Sequence, residues 1–322
     1  MPAVEPRGAA VVRSFLIAAV VTLLAAAPAS GDAFLPPRGM VWHGVAGGSA
    51  AAFARETGRA PDVFQLFTVW GGADWALGRA DMLHLSTNRG PGMREVITPA
   101  QIAAGRGDAF VVRFGQRVAE RGRPLYLRLF AEMNGSWNAY CAFDASGRAR
   151  PGHSTRDFRR AWRRIALILR GGAREAVDAR LARLGMPAVG SGEGPLARAP
   201  VALMWVPHNA TALNTAANQP RRYWPGGRYV DWVGTDFYGQ NPNWGALERI
   251  YDQFPGKPFV FGEWALWGRD DPSFVQRIFR FARTHRRVRL LVYNQGGRSD
   301  GPFRLKRYPR ARRALRAALR RG

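Results

Sequence analysis

The chain has 322 residues, 47% of them apolar and 22% charged, which excludes wholesale disorder and allows one large domain or two ordinary ones. Its 48 Lys and Arg against 23 Asp and Glu give a net charge of +25, which raises nucleic acid or an anionic surface as a partner. Lysine occurs only at Lys257 and Lys306 and the arginines are scattered, so the charge reads as a chain-wide bias and no sequence-specific nucleic-acid binding is expected.

The first element is a leader. Arg7 and Arg13 precede an apolar run from Phe15 to Ala27, and Ala27-Pro28-Ala29 follows as a small-x-small site. That order predicts a secretory signal over 1–30, cleaved near Ala29, and a secreted protein with no membrane contact afterwards. The run falls short of the ~20 residues of a membrane span, and an uncleaved anchor is the competing reading. Residues 31–322 are expected to form one domain.

Short apolar runs then alternate with amphipathic stretches. Strands are predicted over 40–45, 63–69, 82–86, 125–131, 201–206, 229–236, 258–263 and 288–293. Several are continuously apolar, as parallel strands covered on both faces must be. Helices are predicted over 50–57, 108–121, 155–170, 273–284 and 309–320. Phe158, Trp162, Ile165, Ala166 and Leu169 mark the apolar stripe of the third of these. Eight strands with helices between them predict a single-domain (β/α)8 TIM barrel, within the α/β class. A doubly wound sheet is the alternative, although no Gly-rich phosphate-binding turn follows the first strand. The stretch 171–200 is too long for a plain loop and reads as a helix-containing insertion before the fifth strand.

A barrel carries its active residues at the C-terminal strand ends. Two predicted strands run into glutamates, Glu132 after Leu125-Tyr-Leu-Arg-Leu-Phe-Ala131 and Glu263 after Pro258-Phe-Val-Phe-Gly262. A carboxylate behind an apolar run is costly to bury without partners or a function. Either one alone can be read as a salt-bridge partner, with Arg128 a candidate cation. Two carboxylates facing each other across a barrel mouth can serve as acid and nucleophile on a glycosidic bond.

Several segments resemble glycoside hydrolase family 26, a clan A barrel family dominated by β-mannanases. They are Arg123-Pro-Leu-Tyr-Leu-Arg128-Leu-Phe-Ala-Glu132-Met-Asn134-Gly135-Ser-Trp137, the Phe158–Arg163 helix segment, Trp205-Val-Pro207, the run from Tyr223 to Tyr238, and Pro258–Glu263. The resemblance covers about residues 36 to 310. It implies Glu132 as general acid/base and Glu263 as nucleophile, with Arg128, Tyr238 and Asp236 supporting the nucleophile. It also implies Asn134 and Trp137 as shapers of a sugar-binding cleft. The chain departs from the family at Ala131, where the family has His, at His208 after Pro207, and at Asn294, near which a Trp would be expected.

Trp70, Trp75, Trp137, Trp205, Trp264 and Trp267 fall at or just after predicted strand ends. Indole packs against the CH faces of sugars, so Trp137, Trp205, Trp264 and Trp267, with His208, are candidate substrate-binding residues. Trp162 and Trp232 read as core. His43, His84 and His208 lie near strand ends, but no histidine pair has metal-ligand spacing, and neither metal nor cofactor is expected. Cys141 has no sequence partner and reads as structural. The expectation is a secreted, retaining endo-hydrolase, active as a monomer on a β-1,4-linked polysaccharide, mannan first. A β-glucanase or xylanase on the same barrel, or a barrel that only binds polysaccharide, remains as an alternative.

Overall fold

The computed structural model describes Met1 and residues 34–88, 94–190, 192–210 and 213–320. The predicted leader and its cleavage site lie outside the described residues. Eight parallel strands close into a barrel in chain order. They are β1 (Trp42–Ala46), β2 (Val63–Val69), β3 (Met82–Ser86), β4 (Leu125–Leu129), β5 (Val201–Trp205), β6 (Trp232–Tyr238), β7 (Phe259–Ala265) and β8 (Val288–Asn294). Closure comes from β1 pairing with both β2 and β8.

The surrounding layer is α1 (Ala50–Thr57), α2 (Asp74–Leu77), α3 (Pro99–Ala103), α4 (Asp108–Glu120), α5 (Thr155–Arg170), α6 (Arg174–Arg183), α7 (Trp244–Gln253), α8 (Pro272–Thr284) and α9 (Pro309–Leu319). Their starts carry the expected chemistry: Ser49, Ser154, Asn243 and Asp271 each cap a helix, and Thr98 with Gln101 forms a capping box. The predicted insertion contains α6 and returns along 187–190 to α5. Arg164, buried on α5, fastens it: the guanidinium grips Asp108 at 2.7 and 2.5 Å and donates to the Pro187 and Ala188 carbonyls. Among the described residues, the link from β5 to β6 carries 3-10 turns at Ala216–Asn218, Pro220–Tyr223 and Gly227–Tyr229.

Strand side chains alternate, and that parity sorts the core into two layers. Ala46, Val63, Met82, Tyr126, Met204, Val206, Trp232, Val260, Leu290 and Val292 fill the barrel interior. Phe34 closes its lower end, accepting a 2.7 Å hydrogen bond at its carbonyl from the Tyr126 hydroxyl. Residues of opposite parity, among them Leu83, Leu127, Leu203, Phe261 and Leu291, pack under the helices. Toward the upper, C-terminal end, buried polar residues join the interior: Gln65, Arg128, Asp236, Glu263 and Asn294.

Candidate active site

Arg128 follows Tyr126 on the inward parity of β4 and is fully buried. A guanidinium taken out of water needs anionic partners. It donates to Glu263 Oε1 and to Asp236 Oδ2, each at 2.5 Å. Gly262 makes this possible, because a Cβ there would stand 2.7 Å from Arg128 Nε and 2.9 Å from Asp236 Oδ1. The β7–β8 register shifts between Phe261 and Trp264, so Glu263 faces the mouth directly after Gly262 instead of alternating away.

Glu263 collects three further donors: Tyr238 Oη at 2.6 Å, Asn294 Nδ2 at 2.6 Å and Gln65 Nε2 at 3.4 Å. Burial opposes its ionisation, but the Arg128 guanidinium, then His84 and the Tyr238 hydroxyl, hold the carboxyl down at about 2. Asp236 goes the other way. Burial drives its carboxyl well above the ordinary range despite Arg128, with Glu263 and Glu132 adding to the rise. Among the described residues, no hydrogen-bond donor reaches its Oδ1. One guanidinium thus faces two carboxylates, and the better-bonded Glu263 takes the charge. His84 stands beside it with Nδ1 3.9 Å from Glu263 Oε1, and burial pushes its pKa down, leaving a neutral ring at neutral pH.

Glu132 leaves β4 through a sharp turn in which Phe130 and Glu132 both adopt left-handed backbone, φ 48° and 54°. Such conformations are costly for residues with side chains and persist only where surroundings enforce them. Here Glu132 N–H donates to the Val206 carbonyl at 2.7 Å, and the Tyr140 hydroxyl donates to the Ala131 carbonyl at 2.6 Å. Asn138 Nδ2 holds the Glu132 carbonyl at 3.0 Å. The turn brings the half-buried Glu132 carboxylate to the mouth, where Trp137 Nε1 donates to it at 2.7 Å. His208 meets the Trp137 ring edge-on at 5.4 Å between centroids.

Glu132, Glu263, Trp137, His208, Tyr238 and Trp267 line one cleft of about 1080 Å³. Arg128 and Asp236 lie under its floor. Three expected sugar-binding residues lie elsewhere. Trp205 has outward parity next to inward Met204 and is buried against Trp224 and Phe254 at 5.0 and 4.8 Å. Trp264 likewise turns from the mouth and packs edge-on to Tyr293 at 4.9 Å. Asn134 is buried, with its amide exchanging 2.9 Å hydrogen bonds with the His208 backbone in both directions, so it shapes the His208 loop from beneath. Trp70, too, is core, packed on Phe110 and Phe130. Gln65 and Asn294 were missed as partners of the nucleophile candidate. Their one signal was a polar residue at inward parity inside an apolar strand.

The chemistry available is that of two carboxyl groups in unlike settings. One is buried and ionised by its donors, and the other is half-buried and reachable from the cleft. Such a pair can divide nucleophile and proton-transfer roles between them.

No protein-family model matches the chain. It is 26% identical over 165 residues to a beta-1,3-xylanase from an Alcaligenes species, a match spanning 50% of this chain and 27% of that protein. Among solved structures, a Bacillus subtilis mannanase superposes with a TM-score of 0.52 at 14% identity, covering 81% of each chain. A Cellulomonas fimi endo-beta-1,4-mannanase gives 0.53 at 16%, covering 85% of this chain and 71% of the other. The GH26A protein of a Muricauda species gives 0.51 at 15%, covering 80% and 84%. The barrel therefore has the fold of the glycoside hydrolase family 26 structures, as the sequence motifs implied.

Proposed function

We propose that the protein is a retaining, endo-acting glycoside hydrolase of a β-linked polysaccharide, with β-1,4-mannan the first substrate. The observation that carries this reading is the buried Glu263, fixed by Arg128, Tyr238 and Asn294, sharing a cleft with the accessible Glu132. In the first step Glu263 forms a bond to the anomeric carbon. Glu132 gives its proton to the departing oxygen as the glycosidic bond between that oxygen and the anomeric carbon breaks. In the second step Glu132 takes a proton from water, the water oxygen bonds to the anomeric carbon, and Glu263 leaves. Xylan is the second reading, favoured by the name of the Alcaligenes relative.

Reducing-sugar release from a panel of mannan, xylan, β-glucan and mixed-linkage glucan tests both. Mannan turnover is expected, xylan turnover alone supports the second reading, and binding without release supports a non-catalytic barrel. Proton NMR of the first products should show retained configuration, and inverted product would refute the nucleophile role. We further propose that the chain is exported, loses its leader near Ala29 and works as a monomer. N-terminal sequencing and light scattering of protein from culture fluid test these points.

A further inference from the structure

Two aromatic side chains at the mouth have no role in the reaction above. Phe67 is 39% exposed and Trp75 55%, and both line the cleft that holds Glu132 and Glu263. Their placement follows from the strand. Gln65 and Phe67 share the inward face of β2, about 7 Å apart along it. Gln65 reaches Glu263, so Phe67 stands one pleat above a contact of the nucleophile, with its ring 5.6 Å from that of His84.

Trp75 sits on α2, directly beyond. Thr68 Oγ1 donates to the Gly72 carbonyl at 3.0 Å, and Gly72 N–H donates to Val69 at 2.9 Å, closing the intervening turn. Behind Trp75, Ala76 and Leu77 are buried, and Arg121 donates to the Leu77 carbonyl at 2.9 Å. The two rings are held out on rigid supports, an arrangement that exposes apolar surface without relief unless something covers it.

We infer that Phe67 and Trp75 form a platform for the glycone side of the substrate, taking the sugar rings that precede the bond to be cleaved. This inference rests on the glycoside-hydrolase reading and sets its polarity. Trp137 donates to Glu132, the group that protonates the leaving oxygen, so the Trp137–His208 side faces the departing chain. The β2 side contacts Glu263 through Gln65 and stands two strands from β4 and three from β5 around the barrel, away from that side. The occupant is a sugar face rather than a peptide or lipid, because the platform is continuous with the cleft of the carboxylate pair. Two rings reaching outward fit at least two glycone sugars, which is the geometry of attack within a chain.

The test uses aryl β-glycosides with one, two or three β-1,4-linked sugars, in mannose, xylose and glucose series. The leaving group is constant, so length dependence reads the glycone side alone. In the wild type kcat/KM is expected to rise with each sugar. Trp75→Ala should cut the three-sugar over one-sugar ratio by about tenfold, and Phe67→Ala the two-sugar ratio by a similar factor. Trp75→Phe should keep most of the rise, and Trp137→Ala should leave the length dependence in place. Unchanged ratios in Phe67→Ala and Trp75→Ala overturn the platform while leaving the hydrolase reading intact. If the wild type cleaves no glycoside or polysaccharide, the hydrolase reading fails, and calorimetric titration with mannohexaose, xylohexaose and cellohexaose decides the platform. A roughly tenfold affinity loss in Trp75→Ala upholds it, and no binding, or binding indifferent to Trp75, overturns it.

Discussion

Glu263→Gln keeps the side chain's size and removes its charge, so it separates chemistry from packing. On the nucleophile role proposed for it, hydrolysis should fall by about six orders of magnitude, the scale on which a lost nucleophile is felt. A cooperative melt should persist, weakened because Arg128 loses the ionised one of its two carboxyl partners. Glu132→Ala should behave differently. A sugar alkoxide leaves only with a proton, while dinitrophenolate leaves without one. The variant should therefore lose far more on polysaccharide than on a dinitrophenyl glycoside, and azide should restore turnover on the latter. Equal losses and no azide effect would remove Glu132 from the acid/base role. His43 offers a stability test away from the cleft. Burial, then Arg59, lowers its pKa to about 4, and its ring stacks on Phe279 at 5.2 Å. The folded state binds this proton less well than the unfolded one. Its contribution is thus full above pH 6.5, the unperturbed value, and drains away as the pH falls toward 4. His43→Phe should flatten the stability profile in that window by about 3 kcal/mol, read from urea melts at pH 4 to 7.

At the scale of elements, a buried ion pair joins the amphipathic helix α5 to α4, and both of its partners also hydrogen-bond the backbone of the insertion. Arg164 and Asp108 are 0% and 3% exposed at the side chain, and Asp108 also accepts from Gly190 N–H at 2.9 Å. Removing one partner leaves a buried charge unanswered, so Arg164→Met should cost about 3–5 kcal/mol and open 187–196 to proteolysis. A loss under about 1 kcal/mol would show the pair to be dispensable. The periodic helices over 50–57 and 155–170 were legible to the residue. The helix α7 was not predicted, because its inward Leu247 and Ile250 make only a short stripe and its cap is an asparagine after a proline. Strand ends were less legible. The fourth strand was expected to run to Ala131 but ends at Leu129, where the left-handed Phe130 breaks the extended backbone.

Across the whole molecule, the net charge of +25 is carried by arginines on many elements. If that charge is compositional, turnover of a neutral glycan should change little between 50 and 500 mM salt, because the reacting bond carries no charge. Any binding to nucleic acid should be non-specific and fall steeply over the same range. Sequence-specific binding that persists in high salt would assign the charge a function of its own. Among the described residues no helix is long and apolar enough to cross a membrane.

The barrel was legible in the sequence because its physical cause is local. Eight apolar runs of strand length, separated by amphipathic helices, have few ways to bury both faces of a sheet. The two glutamates were legible for a similar reason, since each closes an apolar run that has no use for a charge. What surrounds them was decided by closure. Gln65, Arg128, Asp236 and Asn294 meet at the mouth from β2, β4, β6 and β8, and no local pattern records that meeting. The tryptophans show the same division. All six stood near strand ends in the sequence, but strand parity and the irregularity in β7 sent Trp205 and Trp264 under the helices. Trp75, Trp137 and Trp267 were left to line the cleft. One residue of register decides whether an indole meets a sugar or the core.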